Sequence, residues 1–134
     1  MSSVKRAPAL QELSRDHLVA LLVAKRLRSA EDRDAATQLS MYGSSAVVTI
    51  VDKISQPGSP RVLGNREEIR AWLEDMYARD MTHTVKHRVL DDSGAAYTQA
   101  CRYADGTNVL CATVIELDGG VISGQTVLEV WDEA

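Results

Sequence analysis

The chain contains no phenylalanine, and its aromatic residues are two tryptophans and four tyrosines. The core must therefore be filled by Val, Leu, Ile, Ala and Met. Of the 134 residues, 45% are hydrophobic and 25% charged, the balance of a globular protein rather than a disordered one. We expect one domain spanning residues 1–134, with residues 1–8 flexible.

Basic clusters, long apolar runs and glycine-rich loops are absent as well. The formal net charge is -4, and no run of basic residues is longer than the short group Lys25, Arg26 and Arg28. This pattern argues against nucleic-acid binding. The longest apolar stretch, residues 18–24, is too short to span a bilayer. The glycines fit no phosphate or dinucleotide loop, so no cofactor is expected.

Cysteine is scarce, since Cys101 and Cys111 are the only two. Their spacing fits no metal site, so no bound metal is expected. No apolar signal segment follows Lys5 and Arg6, which predicts a cytoplasmic protein. In that reducing compartment the two cysteines are expected to be free thiols that fill the core rather than act as nucleophiles.

Three stretches have the spacing of helices. Apolar residues recur at three- and four-residue steps from Leu10 to Leu27, and Ser14 is a candidate inner cap. A second, short helix is predicted over residues 35–42. A third begins at the capping box Asn65-x-x-Glu68. Its apolar face consists of Ile69, Trp72, Leu73, Met76 and Tyr77.

Strands dominate the rest of the chain. Residues 46–54 are predicted to form a buried strand, followed by a turn or a hairpin tip over residues 55–60. The final fifty residues predict a four-strand antiparallel meander over residues 82–90, 95–103, 108–117 and 121–131, separated by turn sequences such as Asp105-Gly106. Helices followed by strands predict an α+β domain.

This order of elements resembles the nuclear transport factor-2-like (SnoaL-like) superfamily along nearly the whole chain. The resemblance also rests on four short motifs: Asp32-x-Asp34-Ala35, Gly64-Asn65-x-Glu67-x-Ile69-Arg70, Tyr103-x-Asp105-Gly106, and Gly120-x-Ile122-x-x-Gln125 running to Trp131-Asp132-Glu133. It implies a cone-shaped half-barrel, with three helices packed on a curved, mainly antiparallel sheet. It further implies a homodimer through the outer sheet face.

The resemblance does not fix an activity, because the superfamily includes isomerases, polyketide cyclases, epoxide hydrolases, dehydratases and non-catalytic members. Against ketosteroid isomerase, the position resembling the oxyanion-hole aspartate falls near Thr113. The position resembling the base falls near Ile50, or at Asp52 with a two-residue shift. The helix-1 tyrosine has no counterpart, so steroid isomerisation in its known form is not expected.

Side-chain alternation sorts each predicted strand into two faces. In the first meander strand Lys86 and Arg88 are assigned to solvent, which places His83, Val85, His87 and Val89 inside. In the second strand the inward set is Tyr97, Gln99, Cys101 and Tyr103. In the third it is Val109, Cys111, Thr113 and Ile115.

The last strand is oriented by treating Glu129 as a solvent marker. That choice predicts an inward set of Ile122, Gly124, Thr126, Leu128 and Val130. It places Gln125 and Glu129 outside as interface polar groups. The outer face would then expose Leu110, Ala112, Val114, Val127 and Trp131, and an apolar surface of that kind indicates an interface.

His87 is the first candidate for chemistry, because an inward imidazole can transfer a proton near neutral pH. The competing interpretation is a hydrogen-bonded core histidine. Asp52 is a candidate second group at the pocket mouth, or else a solvated charge at a strand end. His83 is assigned to the rim, and His17 to ordinary helix packing.

Seven residues are candidates for ligand binding: Trp72, Met76, His83, Tyr97, Gln99, Cys101 and Thr113. The leading hypothesis is a cofactor-independent isomerase, cyclase or hydrolase that acts on a small hydrophobic molecule by general acid–base chemistry. The alternative is a non-catalytic ligand-binding or dimerisation module of the same fold. An enzyme needs at least two titratable groups aimed at one spot.

Overall fold

The computed structural model describes residues 15–133, with side chains from residue 22 onwards. The predictions for residues 1–8, Leu10 and Ser14, and for the side chain of His17, lie outside the described residues. The elements are α1 (Arg15–Glu31), α2 (Ala35–Leu39), β1 (Tyr42–Val51), β2 (Arg61–Leu63), α3 (Arg66–Ala78), β3 (Met81–Asp91), β4 (Gly94–Tyr103), β5 (Asn108–Asp118) and β6 (Val121–Trp131).

The helices α2 and α3 begin at side-chain caps. The Asp34 carboxylate accepts from the backbone N–H of Thr37 at 3.1 Å and so caps α2. The Asn65 side chain accepts from the N–H of Glu68 at 2.9 Å, which confirms the predicted start of α3. The second helix is shorter than predicted, because Tyr42 is not its last residue but the first of β1.

The six strands form one sheet in the order β2-β1-β6-β5-β4-β3. All pairs are antiparallel except β1 with β6, which is parallel. The short strand β2 was not predicted. Helix α1 packs on β3 and α3 packs on β1, so the helices cover one face of a curved, unclosed sheet. The predicted α+β fold class is therefore confirmed.

The predicted faces of β4 and β5 agree with the structure. These two strands pair without interruption from Gly94–Glu116 to Arg102–Asn108, so the alternation of side chains is unbroken. Tyr97, Gln99 and Cys101 on β4 are buried, as is every residue of the inward set predicted for β5.

A bulge in β3 makes the predicted orientation of His87 wrong. Val85 lies opposite Gln99 and Arg88 opposite Tyr97, so two β3 residues oppose the single residue Thr98. The extra residue reverses the alternation. His87 is consequently exposed, and both its backbone N–H and its Nδ1 lie 3.2 Å from the Thr98 hydroxyl. Val89, predicted inside, is also exposed.

A second bulge reverses the predicted faces of β6. Glu116 pairs with Gly124 and Leu117 with Ile122, which leaves Ser123 as an extra residue. Ile122 points inward as predicted, but the inward residues beyond it are Gln125, Val127, Glu129 and Trp131. Thr126, Leu128 and Val130, predicted inside, are exposed. Among the described residues, no helix is long and apolar enough to cross a membrane.

Candidate functional site

A pocket of about 280 Å³, here named the main pocket because it lies inside the fold, opens between the sheet and α3. Five of its lining residues are large apolar side chains from four elements. They are Ile50 on β1, Trp72 and Met76 on α3, Val109 on β5 and Trp131 on β6. A concave, apolar wall with a few polar groups is typical of a small-molecule site.

Aromatic and charged side chains surround the mouth. The Tyr103 and Trp131 rings stack with centroids 5.7 Å apart, and the Lys53 ammonium lies 4.3 Å from the Trp131 ring centroid. Asp52 follows the end of β1, where its carboxylate accepts from the backbone N–H of Ile54 at 2.9 Å and of Ser55 at 2.7 Å. It lines the pocket while it also fixes the turn.

Glu129 projects from β6 into the pocket rather than into solvent. Its carboxylate accepts from the Trp131 indole N–H at 3.0 Å. Burial raises the pKa of Glu129; the indole hydrogen bond partly opposes this, and the negative charge of Asp52 adds to it. The carboxyl group is therefore held closer to a protonated state than an exposed glutamate would be.

A small inner cavity of about 30 Å³ lies deeper in the cone. It shares Trp72, Met76, Gln99, Cys111 and Glu129 with the main pocket, so the two spaces adjoin. A volume of this size has room for about one water molecule or one ligand oxygen.

The inner cavity is lined by Arg26, a buried arginine of α1 that is only 3% exposed. Its guanidinium donates to the Tyr42 hydroxyl at 2.8 Å and to the Tyr97 hydroxyl at 3.2 Å. Tyr42 in turn donates to the side-chain oxygen of Gln125. Among the described side chains Arg26 forms no ion pair with a carboxylate. A positive charge is thus held at the inner end of the cone by neutral groups.

A thiol cluster forms another part of the pocket wall. The Cys101 sulfur lies 3.3 Å from Nδ1 of His83 and 3.4 Å from Nε2 of Gln99, and that same Gln99 nitrogen lies 2.7 Å from the histidine Nδ1. Hydrogen bonding from the Cys111 thiol, and from His83 and Gln99, holds the pKa of Cys101 below its ordinary value despite burial. Neither cysteine is disulfide-bonded.

The structure brings most of the predicted site residues into two adjoining spaces. Asp52, Trp72, Met76, Gln99 and Cys101 line the main pocket, and Tyr97 and Thr113 line only the inner cavity. His83 is not at the rim; it lies buried behind Gln99 and Cys101 and edge-on to Tyr77. His87 lines neither space.

Sequence reasoning missed Arg26 and Glu129, the two charged residues of the inner cavity. Arg26 and Leu27 are neighbours on α1 and both are buried. Arg26 was missed because a charged side chain on a helix is normally expected to face solvent. Glu129 was itself used as the solvent marker. One available signal was the pair Gln125 and Glu129, two polar residues four apart in a strand that also contains Trp131. Among residues 22–133, no cluster of His, Cys, Asp and Glu could hold a metal ion.

Comparisons with known proteins identify the fold. No family model and no curated protein matches the sequence. Solved structures do match. One is a putative ketosteroid isomerase from Kribbella flavida, with 16% identity, a TM-score of 0.72, and coverage of 90% of this chain and 82% of that one.

Two further matches have similar geometry. An NTF2-like protein of unknown function from Mesorhizobium loti has 12% identity, a TM-score of 0.76, and coverage of 87% of this chain and 94% of its own. PrhC from Penicillium brasilianum has 16% identity, a TM-score of 0.68, and coverage of 87% and 83%. At these identities the likeness establishes the fold alone.

Proposed function

The chain has the nuclear transport factor-2-like (SnoaL-like) fold, and from that premise we propose that it is a cofactor-independent enzyme which moves a proton next to a carbonyl group of a small hydrophobic molecule. Isomerases and cyclases of this chemical type share that step. The observation that carries the proposal is that Glu129, Tyr97 and Arg26 line the same inner cavity.

The size and wall of the main pocket support a small apolar substrate. Its volume of about 280 Å³ is near the lower limit of roughly 300 Å³ for ligand pockets. Trp72, Met76 and Trp131 would contact the body of such a molecule, while the inner cavity has room for a single oxygen atom. The shape therefore favours a compact ketone or lactone over a phosphorylated or polar metabolite.

Glu129 is the proton carrier in this proposal. A base is most effective when its pKa approaches the working pH, and burial moves the pKa of Glu129 upward in that direction. Asp52 contributes through its negative charge rather than by contact with the substrate. His87 has no part in the mechanism, because its side chain lies in solvent outside the pocket.

Tyr97 and Arg26 would stabilise the negative charge that develops on the substrate oxygen. The Tyr97 hydroxyl accepts from Arg26, and its own proton is donated to no described residue. That proton is available to a ligand oxygen in the inner cavity, with the guanidinium charge behind it. Fixed donors and charges aimed at a developing oxyanion, in a site that excludes water, are a large source of rate enhancement.

The proposal can be tested by deuterium exchange at the carbon next to a carbonyl. A panel of small cyclic ketones and lactones is incubated with the protein in D₂O, and loss of the α-proton signal is followed by ¹H NMR. We expect exchange above the buffer rate. Glu129→Gln should lower it by about 10²–10⁴-fold, the usual contribution of a general base. Tyr97→Phe should lower it while ligand binding persists.

The matched control is Glu116→Gln, since Glu116 is an exposed glutamate of the neighbouring strand. This variant should exchange the α-protons of the panel compounds at the wild-type rate. Binding is followed through the indole N–H signals of Trp72 and Trp131. Binding without exchange would refute the proposed proton-transfer activity and favour the alternative, a non-catalytic ligand-binding module. Neither binding nor exchange would refute both.

We also propose that the protein is a cytoplasmic homodimer through its outer sheet face. Leu110 and Val130 lie directly opposite each other on β5 and β6 and are 52% and 68% exposed. Val114 and Leu128 extend this apolar patch on the same two strands. Burial of such a patch against a second copy would remove it from water. The free thiols Cys101 and Cys111 fit a reducing compartment.

A further inference from the structure

Cys101 combines two properties that the proposed proton transfer does not use. Its side chain lines the main pocket, where a small molecule can reach it. Its sulfur also contacts His83 and Gln99, at 3.3 and 3.4 Å. His83 lines no part of the main pocket, so the imidazole lies behind the thiol on the side away from an entering ligand.

The surroundings of the sulfur favour the thiolate. Cys111 lies on the adjacent strand opposite Gln99, two pairs along from Cys101, and hydrogen bonding between the two thiols lowers the pKa of Cys101 while it raises that of Cys111. Gln99 directs its amide nitrogen toward both the sulfur and the histidine Nδ1. Two donors thus converge on one sulfur in a buried setting, and hydrogen bonds to the charged form favour that form.

His83 is placed to take up the thiol proton. Its Nδ1 faces the sulfur, while its Nε2 is buried without a hydrogen-bond partner among the described residues. In the neutral ring the unprotonated Nδ1 accepts N–H from the Gln99 amide. Once Nδ1 carries the thiol proton it is a donor 3.3 Å from the Cys101 sulfur, so the imidazolium and the thiolate face each other while Gln99 keeps its contact with the sulfur.

We propose that Cys101 is a nucleophile which adds to α,β-unsaturated carbonyl compounds that enter the main pocket, with His83 as the proton acceptor. Two features favour this class of compound, the wall of the pocket and the reactivity of the sulfur. Its aromatic and aliphatic wall favours flat, apolar molecules. A thiolate is a potent nucleophile, and Cys101 needs no metal or cofactor for this addition.

The addition balances without a co-reactant. The Cys101 proton passes to His83 Nδ1, and the sulfur forms a bond to the β-carbon. The π electrons of the carbon–carbon double bond move to the α-carbon and carbonyl oxygen as an enolate. The α-carbon then takes the proton back from His83. The product is a thioether in which sulfur and hydrogen have been added across the double bond.

The test uses N-methylmaleimide, a small, uncharged unsaturated carbonyl compound. The native protein is treated at pH 8 and at pH 6, and the adduct is located by intact-mass and peptide mass spectrometry. We expect a single adduct at Cys101. Its rate should change only a fewfold between the two pH values, whereas an ordinary thiol with a pKa of about 8.5 should slow roughly 80-fold. The urea-unfolded chain supplies that ordinary comparison.

A thiolate with a low pKa is more abundant near pH 7 but also a weaker nucleophile, so its absolute reaction rate there barely differs from that of an ordinary thiol. The ratio of the rates at pH 8 and pH 6 does distinguish the two. Cys101→Ser should abolish the adduct, while Cys111→Ser, which keeps a donor to Cys101, should retain both adduct and pH profile. His83→Gln should make the pH 6 rate fall at least about tenfold relative to pH 8.

Three outcomes would overturn the proposal: labelling of Cys111 before Cys101, no adduct in the native protein at pH 6, or a wild-type pH profile like that of the unfolded chain. The last two comparisons use only the wild-type protein, so they stand even if a variant fails to fold. They are also independent of the deuterium-exchange experiment, because a chain that exchanges no ketone can still carry a reactive Cys101.

Discussion

Glu129 is a partly buried carboxyl group whose raised pKa lowers the stability of the fold. Because its pKa is raised in the folded state, the folded chain binds more protons than the unfolded chain between the unfolded pKa, about 4.3, and the raised value. The free energy of unfolding contributed by this group therefore falls as pH rises through that window. Above the window the loss remains constant.

Glu129→Gln should remove this loss. We expect the free energy of unfolding of the variant, relative to wild type, to increase from pH 4 upward and then level off. Urea denaturation at each pH measures it. The variant must be compared with wild type at each pH, because other groups also make stability depend on pH. Hydrogen bonds from Thr37 lower the pKa of Asp34, for example, so its contribution to the free energy of unfolding rises with pH in both proteins. A flat difference, or one matched by Glu116→Gln, would contradict the expected role of burial.

The same residue explains where sequence reasoning failed. A glutamate in a strand normally marks the solvent face, but Glu129 shares its face with Gln125 and is held inside by a hydrogen bond from the Trp131 indole. The prediction for His87 was wrong for a different reason. Nothing in the neighbouring sequence indicates a bulge, yet the bulge opposite Thr98 turns the side chain outward. Tyr97, Gln99 and Cys101 were placed correctly because their strand has no such interruption.

At the scale of elements, the close pairing of β4 with β5 depends on a glycine. A Cβ built on Gly94 would lie 2.0 Å from the backbone oxygen of Ile115, a contact that no rotation of a side chain can relieve. Gly94 is the first residue of β4 and pairs with Glu116. Only a residue without a Cβ allows the two backbones to approach this closely.

Gly94→Ala should therefore destabilise the protein by about 1–3 kcal/mol or more, as overpacking does. Gly64→Ala is the matched control, since nothing lies within 4 Å of a Cβ built there. Urea denaturation of both variants tests the difference. Equal stabilities would show that the β4–β5 hairpin shifts freely, and with it the register that places Gln99 opposite Cys111.

Elements with strong local signals could be predicted, whereas those fixed by distant contacts could not. The capping box at Asn65 and the apolar face after it determine α3 within a dozen residues. The strand β2 has three residues, of which only Leu63 is buried, and exists because β1 offers it a partner. The bulges likewise arise from pairing between strands and leave no signature in either strand alone.

At the scale of the whole molecule, the outer sheet face sets the expected assembly. Leu128→Glu would place a charge in the centre of the apolar patch, next to Ala112 on β5. We expect the dimer to dissociate, because burial of an unpaired carboxylate costs far more than exposure of the patch. Sedimentation velocity across a protein concentration series measures the change in mass.

Ile54→Glu provides the control for that experiment. It introduces the same charge at an apolar residue that is 82% exposed and lies beyond the end of β1, away from the patch. This variant should remain dimeric. A wild-type protein that sediments as a monomer at every concentration would contradict the proposed dimer, as would a Leu128→Glu variant that stays dimeric.

The parallel pairing of β1 with β6 also has a consequence for how the protein is made. β6 is the last strand along the chain, yet it lies between β1 and β5, where Val48 meets Gln125. A ribosome that has synthesised only the first five strands has released β1 with its central neighbour still missing. The cone and its pocket can therefore close only after β6 has been synthesised. Until then the edge of β1 that β6 will cover stays unpaired, and an unpaired strand edge is prone to pair with other chains.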